Sequence, residues 1–126
     1  MSFAKRWAEA YKRAWEAHEP DAAGALYRRD CVFRSAPFRK PGDPLDYARR
    51  VYAEARAENV HFGEPVEEGD RATVEWWATL VSNDGTEQVI AGCSMLRFDD
   101  EGLVAEARDY WHMEPGRRDP PDGWGR

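Results

Sequence analysis

The chain has 126 residues, 42% hydrophobic and 33% charged, with a formal net charge of −6. That length fits one domain, and the scattered Lys and Arg residues form no basic stripe of the kind that nucleic-acid binding rests on. No stretch approaches the ~20 apolar residues of a membrane span, and Met1 to Ala10 is charged and amphipathic without a signal peptide's apolar core, so a cytoplasmic protein is expected.

In chain order, Phe3, Trp7, Tyr11 and Trp15 recur at spacing four, which predicts a helix over 3–18 with one aromatic stripe. Pro20 stops it. Asp21 is the expected cap of a short helix from Ala22 to about Arg29, with Leu26 and Tyr27 as its apolar side. Cys31 to Ser35 reads as a short strand, followed by a Pro- and Gly-punctuated loop, Pro37 to Gly42. Asp43-Pro44 starts a third helix: the Asp accepts backbone N–H bonds and the Pro sits where its missing donor costs nothing. That helix runs to about Ala57, burying Leu45, Ala48, Val51, Tyr52 and Ala55.

From residue 58 the apolar period changes to two. Strands are predicted at about 58–67, 71–81, 87–98 and 103–113, with turns at Gly69, Asn83-Asp84-Gly85 and Gly102. Short turns between sequential strands make antiparallel pairs. The domain therefore covers 1–114, and 115–126, with three Pro, three Gly and three Arg, reads as a poorly ordered tail. The fold class is α+β, helices on one face of an antiparallel sheet.

Ala72, Val74, Trp76, Ala78 and Leu80 share one face of their strand. In the last strand Leu103, Ala105, Ala107, Asp109, Trp111 and Met113 share a face, which leaves Asp109 as a lone acid among apolar neighbours. A carboxylate there is costly unless bonded, and desolvation raises its pKa. The small Ala105 and Ala107 beside it suit a cavity. Asp109 is the candidate proton-transfer residue; the alternative is a structural acid bonded to the Tyr11 hydroxyl or a Trp N–H. The candidate ligand-binding residues are Tyr11, Trp15, Phe33, Ser35, Tyr47, Val51, Trp76, Ala78, Ile90 and Trp111. Strand 87–98 is apolar on both faces, which predicts a cover on the outer face: a homodimer, with Trp77 contributing.

Cys31 and Cys93 read as reduced thiols, and His18, His61 and His112 lack ligand spacing, so no metal is expected. No glycine-rich phosphate loop is present, so no cofactor is expected.

Asp30-Cys31-Val32-Phe33, Val74-Glu75-Trp76-Trp77 and Arg108-Asp109-Tyr110-Trp111, in this order of elements, resemble the nuclear transport factor 2-like superfamily and its SnoaL-like, polyketide cyclase-like branch. The resemblance implies a cone-shaped α+β barrel with a deep pocket, usually dimeric, and several of its enzymes use an acid at the position of Asp109. Where the epoxide-hydrolase members carry an Arg and an Asp, this chain has Trp76 and Ala78; where they carry a Tyr and an Asn, it has Phe33 and Ser35. Both departures point away from epoxide hydrolysis. Tyr11 loosely matches the first-helix Tyr of the steroid isomerases, whose second acid has no evident counterpart. The expected function is acid/base chemistry of isomerase, cyclase or dehydratase type on a small apolar molecule. Non-catalytic binding, or a dimeric interaction module, is the alternative.

Overall fold

The computed structural model describes residues 1–126. Helix α1 spans Phe3–Glu16, α2 Pro20–Gly24 and α3 Pro44–Glu54. The strands are β1 Tyr27–Arg34, β2 Ala55–Phe62, β3 Val66–Glu68, β4 Arg71–Ser82, β5 Glu87–Phe98 and β6 Val104–Pro115. No helix is long and apolar enough to cross a membrane.

Local chemistry sets most of these bounds. The Lys5 amide donates to Ser2 Oγ at 3.1 Å, capping α1, and the chain leaves that helix through His18 in the left-handed region. The second helix lies earlier than expected. Pro20 sits in its first turn, where a missing N–H is harmless, and Asp21 does not cap it but accepts from Arg49 Nε of α3 at 2.9 Å. It ends at Gly24, where a Cβ would lie 2.7 Å from Leu45 Cδ1, so Tyr27 starts a strand instead of ending a helix. Asp43 caps α3 as expected, its Oδ2 accepting from the Asp46 amide at 2.8 Å. That helix stops at Glu54 and the chain passes straight into β2. The single strand expected over 58–67 is two strands, because Gly63-Glu64-Pro65 interrupts the ladder and Pro65 has no N–H to contribute to it.

The sheet order is β1-β6-β5-β4-β2, with β3 on β4. Every pairing is antiparallel except β1 with β6. The end strands β1 and β2 do not pair, so the α+β cone is a curled sheet that stays open, with the helices in its hollow.

One irregularity changes the side-chain parity of β6. Arg97 pairs with Glu106 and Phe98 with Val104, leaving Ala105 as the extra residue of a β-bulge. Val104, expected on the outer face, therefore turns inward and is wholly buried, and Ala105 does not flank Asp109 on the inner face. From Ala107 onward the predicted parity holds.

The main core joins Trp7 and Ala8 of α1 to Phe33, Val74, Leu96, Phe98, Val104 and Ala107. Residues 116–126 lie against the outer face. Trp77 Nε1 donates to the Arg118 carbonyl at 2.7 Å, and the rings of Trp77 and Trp124 meet edge-on with centroids 6.0 Å apart. Arg117 pairs with Glu58 and Glu87, and the Glu64 amide donates to the Gly125 carbonyl at 2.7 Å. Trp77 is thus met by the chain's own last residues.

Candidate functional site

The inner faces of β4, β5 and β6 align in cross-strand rows: Ala72–Leu96–Ala107, Val74–Ser94–Asp109, Trp76–Gly92–Trp111 and Ala78–Ile90–Met113. The first row is sealed in the core. Over the others opens a cavity of about 610 Å³, covered by Trp7, Tyr11 and Trp15 of α1 and by Tyr47, Val51 and Tyr52 of α3. Of its 20 lining residues, 13 are hydrophobic, so polar groups within it are few and each matters.

Gly92 makes room for the row above Asp109. A Cβ there would overlap the Tyr110 carbonyl oxygen and crowd Trp111, so the strands could not approach as closely. Trp76 and Trp111, on either side of Gly92 in that row, are two walls of the cavity.

Asp109 is the acid of the cavity floor. The Ser94 hydroxyl donates to its Oδ1 at 2.6 Å, and Ser94 Oγ accepts from Trp76 Nε1 at 3.0 Å. The expected alternatives, a bond from Tyr11 or directly from a Trp, are replaced by this relay through Ser94. No protein group bonds Oδ2, which is left for the hollow. The side chain keeps some surface toward the cavity, yet protein surrounds it closely. Burial pushes its carboxyl up to about 7, and the Ser94 bond pulls in the opposite direction without prevailing. Burial, and secondarily the Asp109 charge, also raise the hydroxyls of Tyr27 and Tyr47, so they stay neutral donors. Tyr11 is raised well above its ordinary value, first by burial.

The rim is held by a second network. Trp111 Nε1 donates to the Ser35 carbonyl at 2.6 Å, and Arg39 Nη1 donates to Ser35 Oγ at 3.0 Å. The Arg39 guanidinium lies 5.5 Å from the Trp111 ring centroid, and that of Arg50 lies 5.5 Å from the Tyr47 ring. The Tyr52 hydroxyl is buried without a hydrogen-bond partner; Tyr11 is near enough to affect its titration but not in bonding geometry.

Asp109, Tyr11, Trp15, Tyr47, Val51, Trp76, Ile90 and Trp111 thus share one cavity. Three residues named from sequence do not line it. Ala78 is wholly buried among Ala57, Val60, Trp76 and Ile90. Phe33 pairs with Ala107 and is part of the packed core, while Ser35 follows it at the edge, where it anchors Trp111 and Arg39. Both line a smaller recess next door. Sequence reasoning missed Ser94, although it lies two residues from Gly92 and Leu96 on the cavity side of β5. It also missed Arg39, Arg50 and Glu54, which look like ordinary surface charges. Glu54 is a second acid in the lining, though an exposed one.

The thiols lie elsewhere. Burial pushes Cys31 up to about 12, and Cys93, also raised, sits on the outer face between Glu75 and Tyr110. No group of three His, Cys, Asp or Glu side chains is placed to hold a metal ion.

The profile of the SnoaL-like domain matches residues 8–107. This chain belongs to the SnoaL-like family, within the nuclear transport factor 2-like superfamily. Similar solved structures include an LEH-like epoxide hydrolase of M. tuberculosis, 21% identical over 87% of this chain and 83% of that one, with a TM-score of 0.71. The Delta 5-3-ketosteroid isomerase from Mycobacterium sp. is 16% identical over 90% of this chain and 98% of its own, with a TM-score of 0.73. A Mycobacterium tuberculosis protein solved with estradiol-17beta-hemisuccinate is 18% identical over 90% and 99%, with a TM-score of 0.76. At these identities the likeness is one of fold. No curated protein matches the sequence. The neighbours share this chain's fold, and a fold by itself does not fix what a protein does.

Proposed function

We propose that this SnoaL-like protein binds a small ring-bearing apolar molecule and that Asp109 exchanges a proton with it, in chemistry of the isomerase, cyclase or dehydratase type. The observation that carries this reading is the free Oδ2 of a carboxyl raised to about 7 on the floor of an apolar cavity. Near neutral pH such a group is populated both as acid and as base, the condition for efficient proton transfer. As base, Oδ2 takes a proton from a carbon beside a carbonyl; as acid, it returns that proton to a second carbon or to a leaving hydroxyl. Tyr11 and Tyr47, kept neutral, are the donors available to the carbonyl oxygen as charge develops on it.

Deuterium uptake at the α-carbon of cyclic ketones, followed by proton NMR in D2O, tests the reading. Exchange by the native protein and its loss in Asp109→Asn are expected. Equal exchange by both would overturn it. Binding without turnover is the second reading, favoured by the exposure of Glu54, which leaves Asp109 the one acid deep in the cavity. Under that reading ketones bind but take up no deuterium.

A homodimer through the outer sheet face belongs to the same proposal. With Trp77 met by Trp124, the apolar surface for it is Val66, Met95 and Tyr110, all exposed. Met95→Glu is expected to lower the mass seen by light scattering; an unchanged mass counts against this face.

A further inference from the structure

Arg39 and Arg50 are the two arginines that line the main cavity. Arg28, Arg49, Arg56, Arg108, Arg117 and Arg118 each have a carboxylate partner. Arg39 and Arg50 have none, in a protein with more acids than bases. Instead each guanidinium lies over an aromatic ring that itself lines the cavity, Trp111 and Tyr47. Arg39 is further fixed by Ser35 Oγ, whose own carbonyl holds Trp111. Arg39 is therefore held before any ligand arrives, which lowers the ordering cost of an ionic contact there.

Their position is specific. Arg39, Tyr47 and Arg50 are common to the main cavity and to an adjoining recess of about 370 Å³. Lys40 also lines that recess. The opposing charges are Asp43 and Asp46 in the recess and Glu54 in the main cavity; Asp43 is occupied in capping α3, and none is paired with either arginine.

We infer that the ligand is an anion: an apolar ring system bearing a carboxylate, with its ring between Trp76 and Trp111 and its carboxylate on Arg39 and Arg50. A planar guanidinium accepts a carboxylate in two-pronged fashion. This orientation also keeps the ligand's charge away from Asp109, where a second carboxylate would be repelled. The inference rests on the pocket reading above and specifies its substrate class.

A matched pair separates the two. The quenching of tryptophan fluorescence by 2-naphthylacetate and by methyl 2-naphthylacetate is titrated at low ionic strength, where exposed charges are least screened. The acid is expected to bind about tenfold more tightly than the ester, the scale of charge-assisted contacts at a part-exposed site. The double variant Arg39→Gln, Arg50→Gln is expected to abolish that preference, so that acid and ester bind equally. Arg39→Lys, Arg50→Lys is expected to restore part of it. If native protein binds acid and ester equally, or the preference survives in the Gln double variant, the anion inference falls and the pocket reading stands. If neither compound binds, both fall.

Discussion

The inner face of the sheet has two halves built on the same three strands. At one end Ala72, Leu96 and Ala107 pack against Trp7 and Phe33 with no space left. At the other, Trp76, Trp111 and Ile90 border a hollow. Asp109 and Ser94 stand on the boundary row. The packed half supplies the stability that lets the other half stay open and hold a carboxyl at an energetic disadvantage. Proteins hold such strained or ill-solvated groups where the surrounding structure over-determines them.

The largest expected effect comes from breaking the packed half. Leu96→Ala removes a nearly fully buried side chain and is expected to cost about 2–5 kcal/mol in denaturant unfolding. If the halves are distinct as described, the Asp109 titration midpoint in the folded variant stays put.

Breaking the open half has the opposite sign. The Asp109 carboxyl is held at about 7 against an ordinary 3.8, so the folded protein binds this proton more tightly than the unfolded chain does. Its contribution to stability is complete below about pH 4 and is lost as the pH rises through about 7. Asp109→Asn removes that loss. Relative to the native protein it is expected to gain on the order of 4 kcal/mol between pH 4 and pH 8. Parallel pH–stability curves for the two proteins would contradict this.

Ser94→Ala sharpens the boundary row. Its hydroxyl lowers the Asp109 pKa, so its removal is expected to raise the midpoint by about one pH unit, the scale of one charge-assisted bond. A midpoint that falls instead would remove Ser94 from the account. The smallest effect is expected on the outer face. Trp124→Ala loses an edge-on contact with Trp77 and is expected to cost about 1 kcal/mol without moving the Asp109 midpoint.

The two halves were not equally legible in the sequence. Strict alternation from Ala72 to Leu80 and from Ala107 to Met113 placed Trp76, Asp109 and Trp111 on the inner face, because period two leaves no freedom once one face is buried. Asp43-Pro44 marked the start of α3 for an equally local reason. What escaped was whatever depends on strands meeting. The bulge at Ala105, which turns Val104 inward, is set by pairing with Arg97 and Phe98 and has no local signature. Ser94 lies on the correct face by simple counting, yet its importance appears only when Asp109 is paired across from it. Phe33 and Ser35 were displaced into the core and the neighbouring recess by the parallel register of β1 against β6, which no hairpin turn announces. Arg39 and Arg50 are exposed charges, and their seating over Trp111 and Tyr47 at the cavity is a tertiary fact without a local signal.

The most direct measurement is the titration of the Asp109 side-chain carboxyl by carbon-13 NMR, with the resonance assigned by its absence in Asp109→Asn. A midpoint near pH 7 is predicted. A midpoint near the ordinary carboxylate value of about 4 would place that group in bulk-like water and contradict the account of the cavity.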